Sequence, residues 1–544
     1  RIGNNKGIIA FITNSGWLDG NSGEGFRKTI EKEFSKIYVL NLRGAVRGRI
    51  GDSAKKEGQN VFDIMTGVAI TILVKDPSYK NQKAQIFYHD IGDYLTREEK
   101  LKIVSNFKDV TNVKWKKITP NEHGDWLSER NDNFKNFIPI NTDKKKDKNS
   151  KSFFDFYSCG IKTNRDSWSY NSSLEQVKTT AKSVINYYKK KKKKLQSGKI
   201  KEVNKNTNKI SWVGSSLSNL KRNIVYKIKD CEYSESLYRP FFKQNLLYYL
   251  PLIEGSYQIP KLFPTGHHKN TVICISGIGG KKDFACLITN YIPDVQVMQN
   301  GQCFPLYWYE SVEDAKSKSN DDYELSFIRE EKQKEKVIDG YIRHYAVTDY
   351  ILNEARKKYK DNSITKENIF YYVYGLLHSK EYREAFKADL KRELPRLPLV
   401  EIKKDFIAFK EAGEKLAELH LNYEKVSPYP SVRIIGEKSK NYKITKLKYA
   451  NKDKKDILIY NDSITIENIP QKAYEYVING RSAIDWLIDR YQVSTDSKSG
   501  ITNDPNLWCK EHKKPRYILD LILSVINESV KSVDIIEKLP RLEF

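Results

Sequence analysis

Three arginines set among glycines form the first segment of this 544-residue sequence whose side chains could bind an anion. The segment reads Arg43-Gly-Ala-Val-Arg47-Gly-Arg49 and leads on to Asn60, a further candidate contact. Guanidinium groups are planar, permanently charged and match phosphate oxygens in pairs. The segment therefore predicts a phosphate-binding loop. The alternative is a mobile surface loop, because glycine is also the residue that flexibility requires.

A second segment crowds polar side chains beside an aromatic ring. It reads Lys162-Thr-Asn164-Arg165-Asp-Ser-Trp168. Asparagine and arginine form paired hydrogen bonds with base edges, and tryptophan stacks on bases. The composition therefore indicates DNA contact. The alternative is a structural turn in which Asp166 neutralises the arginine.

Two more segments add candidate contacts. Ser276-Gly-Ile-Gly-Gly-Lys281-Lys282 follows an apolar strand but lacks the spacing of a nucleotide-hydrolysing P-loop. Its backbone amides and lysines could still hold a DNA phosphate. A polar segment from Ser494 to Asn506 has too few apolar residues for a core of its own, and its candidate contacts are Thr495, Ser497, Lys498 and Asn503. The motifs indicate neither a catalytic residue nor a metal site.

The charge balance favours a polyanionic partner. The sequence has 95 basic and 69 acidic residues, a formal net charge of +26. Each phosphate that a lysine or arginine neutralises releases a condensed counterion. A lysine-rich, solvated surface is the simpler explanation for part of this excess. Six scattered cysteines without a C-x-x-C pair, no apolar run of membrane-spanning length and no signal peptide are typical of a cytoplasmic protein.

The elements that position the first segment alternate between strand and helix. Residues 7–13 form a continuous apolar run, which predicts a parallel strand buried on both faces. A helix after Ser22 and strands over 37–42 and 67–74 follow, and this order predicts a doubly wound α/β sheet. The arginine–glycine segment then lies at the carboxyl end of a strand, where such sheets bind ligands. The chain opens on Arg1 close to a strand, so we expect a piece of a longer polypeptide.

A change of composition predicts a domain boundary near residue 150, after the charged run Lys144–Lys148. We expect a mixed α+β domain over 151–544, with a first part over 151–318 and a helical and hairpin part over 337–544. Near its end, Ser482 can cap a short amphipathic helix after an Asn479-Gly480 turn.

Three blocks resemble a known protein family. They are the string from Gly160 to Asn171, the block Leu237–Phe242 and the stretch Asn479–Asn506. They are similar to the C-terminal part of the single-polypeptide Type I (Type ISP) restriction–modification enzymes of bacteria. Residues 1–150 resemble the second half of a gamma-class DNA N6-adenine methyltransferase domain, a Rossmann-like sheet. The resemblance implies a target-recognition domain that reads double-stranded DNA and presents a flipped adenine.

The resemblance also implies what the chain lacks. The Asn-Pro-Pro-Tyr catalytic tetrad and the glycine-rich turn for S-adenosylmethionine lie upstream in the family, and neither occurs in this sequence. We therefore expect this segment alone to be inactive in methylation. The expected partners are DNA and the upstream methyltransferase, helicase and nuclease domains, with ATP and Mg²⁺ serving the full-length enzyme only.

Two other functions are compatible with the sequence. A basic protein-interaction or coupling scaffold would need no sequence-specific DNA binding. An RNA-modifying enzyme would prefer an A-form duplex, whose shallow minor groove displays 2′-hydroxyl groups.

Overall fold

The computed structural model describes residues 5–46, 52–79, 83–142, 151–203, 209–280, 282–318, 337–451 and 454–544. The chain forms two compact units. Unit 1 comprises Arg1–Asn136, Ile278–Phe284 and Glu384–Pro395, and unit 2 comprises Phe137–Gly277, Ala285–Arg383 and Arg396–Phe544. The functional boundary near residue 150 stays a prediction.

Unit 1 is built on one five-stranded sheet in the order β1-β3-β2-β4-β5. Its strands are β1 Gly7–Asn14, β2 Lys36–Arg43, β3 Val68–Lys75, β4 Gln85–Asp90 and β5 Lys116–Ile118, and its helices are α1 Glu24–Glu33, α2 Asp52–Glu57 and α3 Arg97–Phe107.

The predicted α/β character is confirmed, but most neighbouring strands of this sheet are antiparallel. β3 pairs antiparallel with both β1 and β2, whereas β2 and β4 are parallel. β1 and β2 therefore point the same way, as a strand–helix–strand unit requires, with β3 inserted between them. The carboxyl ends of β1, β2 and β4 consequently lie at one edge of the sheet.

The predicted burial of β1 on both faces is wrong for the described residues. Ile8 is 69% exposed and Ile12 is 54% exposed. The reason is that β1 is an edge strand, paired on one side with β3 only. An apolar run identifies a strand, but its burial depends on what packs against it.

Unit 2 contains several small sheets and most of the helices. Its strands are β6 Ile138–Pro139, β7 Ser158–Cys159, β8 Tyr170–Asn171, β9 Glu232–Arg239, β10 Phe242–Tyr248, β11 Val272–Ile275, β12 Cys286–Thr289, β13 Ile292–Pro293, β14 Gln302–Pro305, β15 Tyr307–Ser311, β16 Val337–Ile338, β17 Tyr341–Tyr345, β18 Arg396–Leu397, β19 Arg433–Ile435, β20 Lys448–Tyr449, β21 Leu458–Ile459, β22 Thr465–Glu467, β23 Val477–Ile478, β24 Arg481–Ser482, β25 Ser494–Thr495 and β26 Thr502–Asn503.

The remaining helices follow in chain order. They are α4 Asp166–Ser169, α5 Leu174–Gln196, α6 Gly214–Lys221, α7 Ile259–Leu262, α8 Val312–Lys318, α9 Asp349–Tyr359, α10 Lys366–Leu376, α11 Lys380–Ala385, α12 Lys403–Leu421, α13 Ala483–Arg490, α14 Pro505–Glu511 and α15 Tyr517–Ile536.

Three four-stranded sheets organise unit 2. Their strand orders are β13-β9-β10-β8, β12-β11-β14-β7 and β19-β22-β21-β20. One large apolar core joins them to α13 and α15, and a second core lies around α5 and the aromatic rings of Tyr188 and Tyr226. The mixed α+β architecture agrees with the prediction.

The predicted helix after Asn479-Gly480 is confirmed. Asn479 and Gly480 both have positive φ and join β23 to β24, and the Ser482 hydroxyl accepts a hydrogen bond from the backbone N–H of Asp485. Ile484 and Leu487 are fully buried. In the described part of the chain, no helix combines the length and apolarity that a membrane span needs.

Candidate nucleic-acid interface and base pocket

A cavity of about 940 Å³ lies in unit 1 at the edge where β1, β2 and β4 end. The loop Asn14–Gly23, which follows β1, supplies much of its lining, together with Asn41, Met65 and Gly67. This edge is where open α/β sheets bind ligands. The residue types predicted ligand binding at Arg43 but not at the Asn14–Gly23 loop, although a polar turn after an apolar strand is a visible signal in the sequence.

Aromatic and amide groups line this cavity. The Trp17 ring packs edge-on against Phe26, with ring centroids 5.0 Å apart, and its buried indole N–H has no acceptor among the described residues. The Asn41 side chain donates to the Tyr88 hydroxyl at 2.9 Å and accepts from the Arg43 backbone N–H at 3.0 Å. Such a mixture suits a planar, polar ring such as a nucleobase.

Arg27 fixes the shape of the Asn14–Gly23 loop. Its fully buried guanidinium donates to the carbonyls of Trp17 at 2.6 Å, Gly20 at 3.0 Å and Gly124 at 2.9 Å. Asp125, also fully buried, lies 4.0 Å from the same group. The loop is therefore held by charge-assisted hydrogen bonds and not by packing alone.

Two further arginines contact Asp125. Arg130 donates to its carboxylate at 2.9 Å, and Arg392 lies 2.9 Å away. Although burial opposes ionisation, these hydrogen bonds and positive charges lower the pKa of Asp125 to about 2. The carboxylate is thus ionised throughout the neutral range.

The arginine–glycine segment is partly neutralised where the structure describes it. Arg43 donates to Asp90 at 2.6 Å and lies 2.5 Å from Asp93, and these carboxylates raise the pKa of Arg43 against its partial burial. The Asn60 amide donates to the carbonyls of Gly44 and Thr66. Both side chains therefore have structural partners, and their DNA contacts stay predictions.

Three predicted phosphate contacts lie outside the described residues. They are Arg47, Arg49 and Lys281. Lys282 is described and belongs to the short segment of unit 1 that begins at Ile278.

The polar turn at the start of unit 2 presents some of its predicted contacts and buries others. Lys162 and Asn164 are exposed, and Asn164 adopts a left-handed conformation with φ 54°. Trp168 packs in the aromatic core with Tyr188 and Tyr226. Because the ring is buried in this core, a base cannot stack on it in this structure. A DNA contact of Trp168 stays a prediction.

Arg165 is buried without a partner. Only 4% of the residue is exposed, and none of its three guanidinium nitrogens has an acceptor among the described residues. Asp166 does not neutralise it, because Asp166 instead accepts hydrogen bonds from Thr163 and Tyr238. Burial lowers the pKa of Arg165 to about 10. The proposed structural turn with an Arg165–Asp166 pair is thus not observed.

The turn meets the polar segment that follows α13. Strands β25 and β26 form a hairpin, and the Ser499 hydroxyl lies 3.3 Å from that of Ser167. The Asn171 amide donates to the Thr502 carbonyl at 3.0 Å, and Asn503 accepts from the Ser172 backbone N–H at 2.8 Å. Two predicted contact regions, more than 300 residues apart in sequence, therefore form one surface.

The tip of this hairpin is open to solvent. Thr495, Ser497 and Lys498 are exposed, whereas Asn503 is half-buried through its bond to the turn. Gly500 has φ 70° and closes the tip. Hydroxyl, amide and ammonium groups on an exposed ridge can reach base edges and phosphates in a groove.

A buried ion pair lies next to the turn Lys162–Trp168. Arg239 donates to Asp294 at 2.8 Å and lies 3.5 Å from Asp166, and its guanidinium lies 3.8 Å from the centre of the Tyr238 ring. Burial raises the pKa of Asp294 to about 7, even though Arg239 opposes this shift. Arg239 is thus a positioning residue for Asp166.

Asp19 and Glu57 line the unit 1 cavity, but Asp19 accepts from Ser128 and Glu57 accepts from the Ala45 N–H. A carboxylate has about four acceptor sites, so Asp19 and Glu57 can still accept from ribose hydroxyls, whereas the glycine-rich turn that the family uses for S-adenosylmethionine does not occur in this sequence.

One group of potential metal ligands occurs among the described residues: Glu122, His123 and Asp132. The two carboxylates are exposed, and both lie within 4.0 Å of Lys135. Lys135 therefore neutralises the two carboxylates of this group.

The chain belongs to the family of Type ISP C-terminal specificity domains, whose model matches residues 152–521. Nearly the whole chain also resembles solved restriction–modification enzymes. The ATP-dependent Type ISP enzyme LlaBIII bound to DNA is 37% identical with a TM-score of 0.83, over 99% of this chain and 33% of that chain. A nuclease-deletion mutant of the Type ISP enzyme LlaGI, in complex with a DNA substrate mimic, is 36% identical with a TM-score of 0.82, over 99% of this chain and 47% of that chain.

A third structure, a DrdV–DNA complex, is 28% identical with a TM-score of 0.79, over 99% of this chain and 51% of that chain. This chain therefore spans between a third and a half of these relatives. No curated protein matches the chain.

Proposed function

We propose that this chain recognises a specific sequence in double-stranded DNA for an enzyme that methylates adenine at N6 and cleaves unmodified DNA. Membership of a specificity-domain family supports this function, as do relatives whose structures contain DNA. The observation that carries the proposal is the joint surface of the Lys162–Trp168 turn and the β25–β26 hairpin. This surface combines the exposed amide of Asn164 with exposed hydroxyls and two lysines, and such groups read bases and hold phosphates.

The proposed contacts divide into two kinds. Asn164, Thr495, Ser497 and Asn503 are suited to base edges, because each offers a neutral donor or acceptor. The positively charged candidates are suited to phosphates, and phosphate contacts set affinity but not sequence preference. These candidates are Lys162, Lys498, Lys282 and the arginine–glycine segment with Lys281. Arg165 would join the base contacts only if the turn opened, since its guanidinium is buried.

We further propose that the unit 1 cavity receives the target adenine after it leaves the duplex. Trp17 and Phe26 offer ring faces or edges, and Asn14 and Asn41 offer amides. The chain would present the base, while the catalytic tetrad and S-adenosylmethionine would belong to another part of the full-length enzyme. This assignment rests on the interpretation of residues 1–150 as the second half of a Rossmann-like methyltransferase sheet.

The uncovered side of the edge strand β1 supports the proposal that another half of the domain binds there. Its outer side has no strand partner in the described residues, and Ile8 and Ile12 are exposed beside it. An uncovered edge with apolar side chains is a ready template for another strand or helix. We propose that the remainder of the methyltransferase sheet covers it, with ATP and Mg²⁺ serving further domains.

Selection from a random duplex library tests the proposal. Chain-bound duplexes would be recovered at several salt concentrations, amplified and sequenced. We expect one asymmetric sequence to be enriched, and enrichment to survive at salt concentrations that remove non-specific binding. Recovery of duplexes without any common sequence at every salt concentration would refute sequence recognition and leave the scaffold function. A preference for RNA duplexes of matched length would point to an RNA-modifying role.

A further inference from the structure

A groove of about 740 Å³ opens in unit 2 and includes none of the predicted contact residues. It lies beside strand β9, between the loop over residues 266–271 and the turn over residues 290–292. Its functional groups include three tyrosine rings, two cations and an amide: Tyr233, Tyr291, Tyr307, Lys269, Arg343 and Asn290. The volume is in the range of pockets that enclose one small ligand.

The tyrosine rings are held in place by their neighbours. Tyr307 packs against Tyr345 with centroids 5.0 Å apart, and the Arg343 guanidinium lies 4.4 Å from the centre of the Tyr307 ring. The Tyr291 hydroxyl accepts from the Lys243 ammonium at 3.2 Å. Rings fixed in this way can stack on a planar ligand without first losing rotational freedom.

The two cations of the groove lack acidic partners in the described part of the chain. Neither Lys269 nor Arg343 has a carboxylate oxygen within 4.0 Å there. Glu235 also lines the groove, but no ion pair joins it to either cation. Lys243 provides the contrast, because Glu424 lies 2.8 Å from it and neutralises it. The groove therefore has two positive charges available for an anion.

Hydrogen bonds hold the loop that lines one side of the groove. The buried Asn270 amide donates to the carbonyls of Leu262 at 3.0 Å and Tyr307 at 2.6 Å, and its oxygen accepts from the backbone N–H of Thr271. His268, 7% exposed, bonds the Thr265 hydroxyl at 2.9 Å through Nδ1, and its Nε2 has no partner among the described residues. These hydrogen bonds fix the loop over residues 266–271, and the loop in turn holds its side chains in position along the groove.

We infer that this groove binds a nucleotide whose base is unpaired. The base stacks on the tyrosine rings, the phosphate contacts Lys269 and Arg343, and the Asn290 amide bonds the base edge. Fixed aromatic rings next to unneutralised cations are the combination that proteins use for unpaired nucleotides. Stacking needs an open base face, which a duplex does not offer, so the site is distinct from the duplex surface proposed above and does not depend on it.

Binding of a labelled single-stranded oligothymidylate to the chain, measured by fluorescence anisotropy, tests the inference. We expect Lys269→Ala and Arg343→Ala each to raise Kd several-fold and to reduce the salt slope by about 0.7. Tyr291→Ala should raise Kd by about tenfold through lost stacking. The matched controls are Lys438→Ala and Arg541→Ala, which remove exposed charges elsewhere and should leave Kd unchanged.

Two sources of the nucleotide are separated by competition. If unlabelled dAMP or ATP displaces the oligonucleotide and its own affinity falls in Lys269→Ala, the ligand is a free nucleotide. If neither competes, the ligand is an unpaired nucleotide of a strand. Unchanged affinity of Lys269→Ala and Arg343→Ala for both kinds of probe would overturn the inference.

The test is independent of duplex recognition. A matched hairpin duplex should bind Lys269→Ala as it binds the parent chain, whatever the library selection finds. Lys269 is exposed on a loop, so its substitution keeps the test valid even if Tyr291→Ala impairs folding.

Discussion

Two buried arginines, one in each unit, have opposite surroundings. Arg27 in unit 1 donates to three backbone carbonyls and lies beside the ionised Asp125. Arg165 in unit 2 is almost as buried, but its guanidinium has no acceptor among the described residues. Burying a charge costs free energy unless hydrogen bonds and a counter-charge offset it. We therefore expect Arg27 to stabilise unit 1 and Arg165 to lower the stability of unit 2.

The contrast separates a structural arginine from a candidate functional one. Native structures leave few buried polar groups without partners, and the exceptions often serve a function. In unit 2, Trp212 Nε1 is also buried without a partner among the described residues, and the Glu254 carboxylate acts on Arg165 through its charge. Arg165 lies within the turn that we propose to read DNA, so its unfilled donors make it a candidate contact.

The largest effect is expected for Arg27→Met. The substitution leaves Asp125 and three carbonyls with fewer partners, so the free energy of unfolding of unit 1 should fall by about 3–5 kcal/mol. Urea denaturation of the chain measures it. The control is Arg97→Met, because Arg97 pairs with Asp63 at the surface and should change stability by less than about 1 kcal/mol. Equal effects of the two substitutions on the free energy of unfolding would contradict the structural role of Arg27.

The opposite sign is expected for Arg165→Met. Removing an unpartnered buried charge should leave the free energy of unfolding unchanged or raise it by about 1–3 kcal/mol. The lowered pKa adds a second signature. Because the pKa of Arg165 is near 10 in the folded state and higher in the unfolded state, the stability of the parent should rise relative to the variant above pH 10. Marked destabilisation by Arg165→Met at pH 7 would show that the arginine has a stabilising partner.

Two buried carboxylates, one in each unit, should give the stability of the chain opposite dependences on pH. The pKa of Asp125 lies near 2 and that of Asp294 near 7, on either side of the ordinary value of 3.8. Asp125 therefore contributes stability that is lost as pH falls from about 4 to 2. Asp294 binds a proton more tightly in the folded state, so its contribution falls as pH rises from about 4 to 7.

The measurement compares the parent with Asp294→Asn across this window. The parent should lose up to about 1.4 kcal/mol per pH unit relative to the variant. A stability difference that does not change between pH 4 and 7 would contradict the raised pKa.

The smallest effect is expected for Lys498→Ala on the hairpin tip. Loss of one phosphate contact should reduce the slope of log K against log salt by about 0.9 and weaken all duplex sequences equally. Lys438→Ala serves as the control for charge. A loss confined to one duplex sequence would make Lys498 a base contact instead.

Local elements were predictable from the sequence, and their partners were not. The Ser482 cap and the apolar positions Ile484 and Leu487 identified α13, because capping and helical spacing are encoded within a few residues. The insertion of β3 between β1 and β2 depends on pairing across the sheet, which strand order in sequence does not specify. The exposure of Ile8 and Ile12 follows from that same missing information.

The candidate site was predicted in part. Types and spacing identified the Lys162–Trp168 turn and the Ser494–Asn506 segment, but their contact through Ser167 and Ser499 depends on the fold of the residues between them. The carboxylates that pair with Arg43 lie on and after β4. A positive charge in sequence therefore does not reveal whether the folded chain neutralises it.

One comparison tests the central claim most directly. The affinities for the selected duplex and for a scrambled duplex are measured with the parent chain and with the double variant Asn164→Ala, Ser497→Ala. The turn and hairpin read bases if the double variant loses at least tenfold in the ratio of the two affinities while its affinity for the scrambled duplex is unchanged. A preserved ratio, or an equal loss of both affinities, would contradict base recognition by this surface.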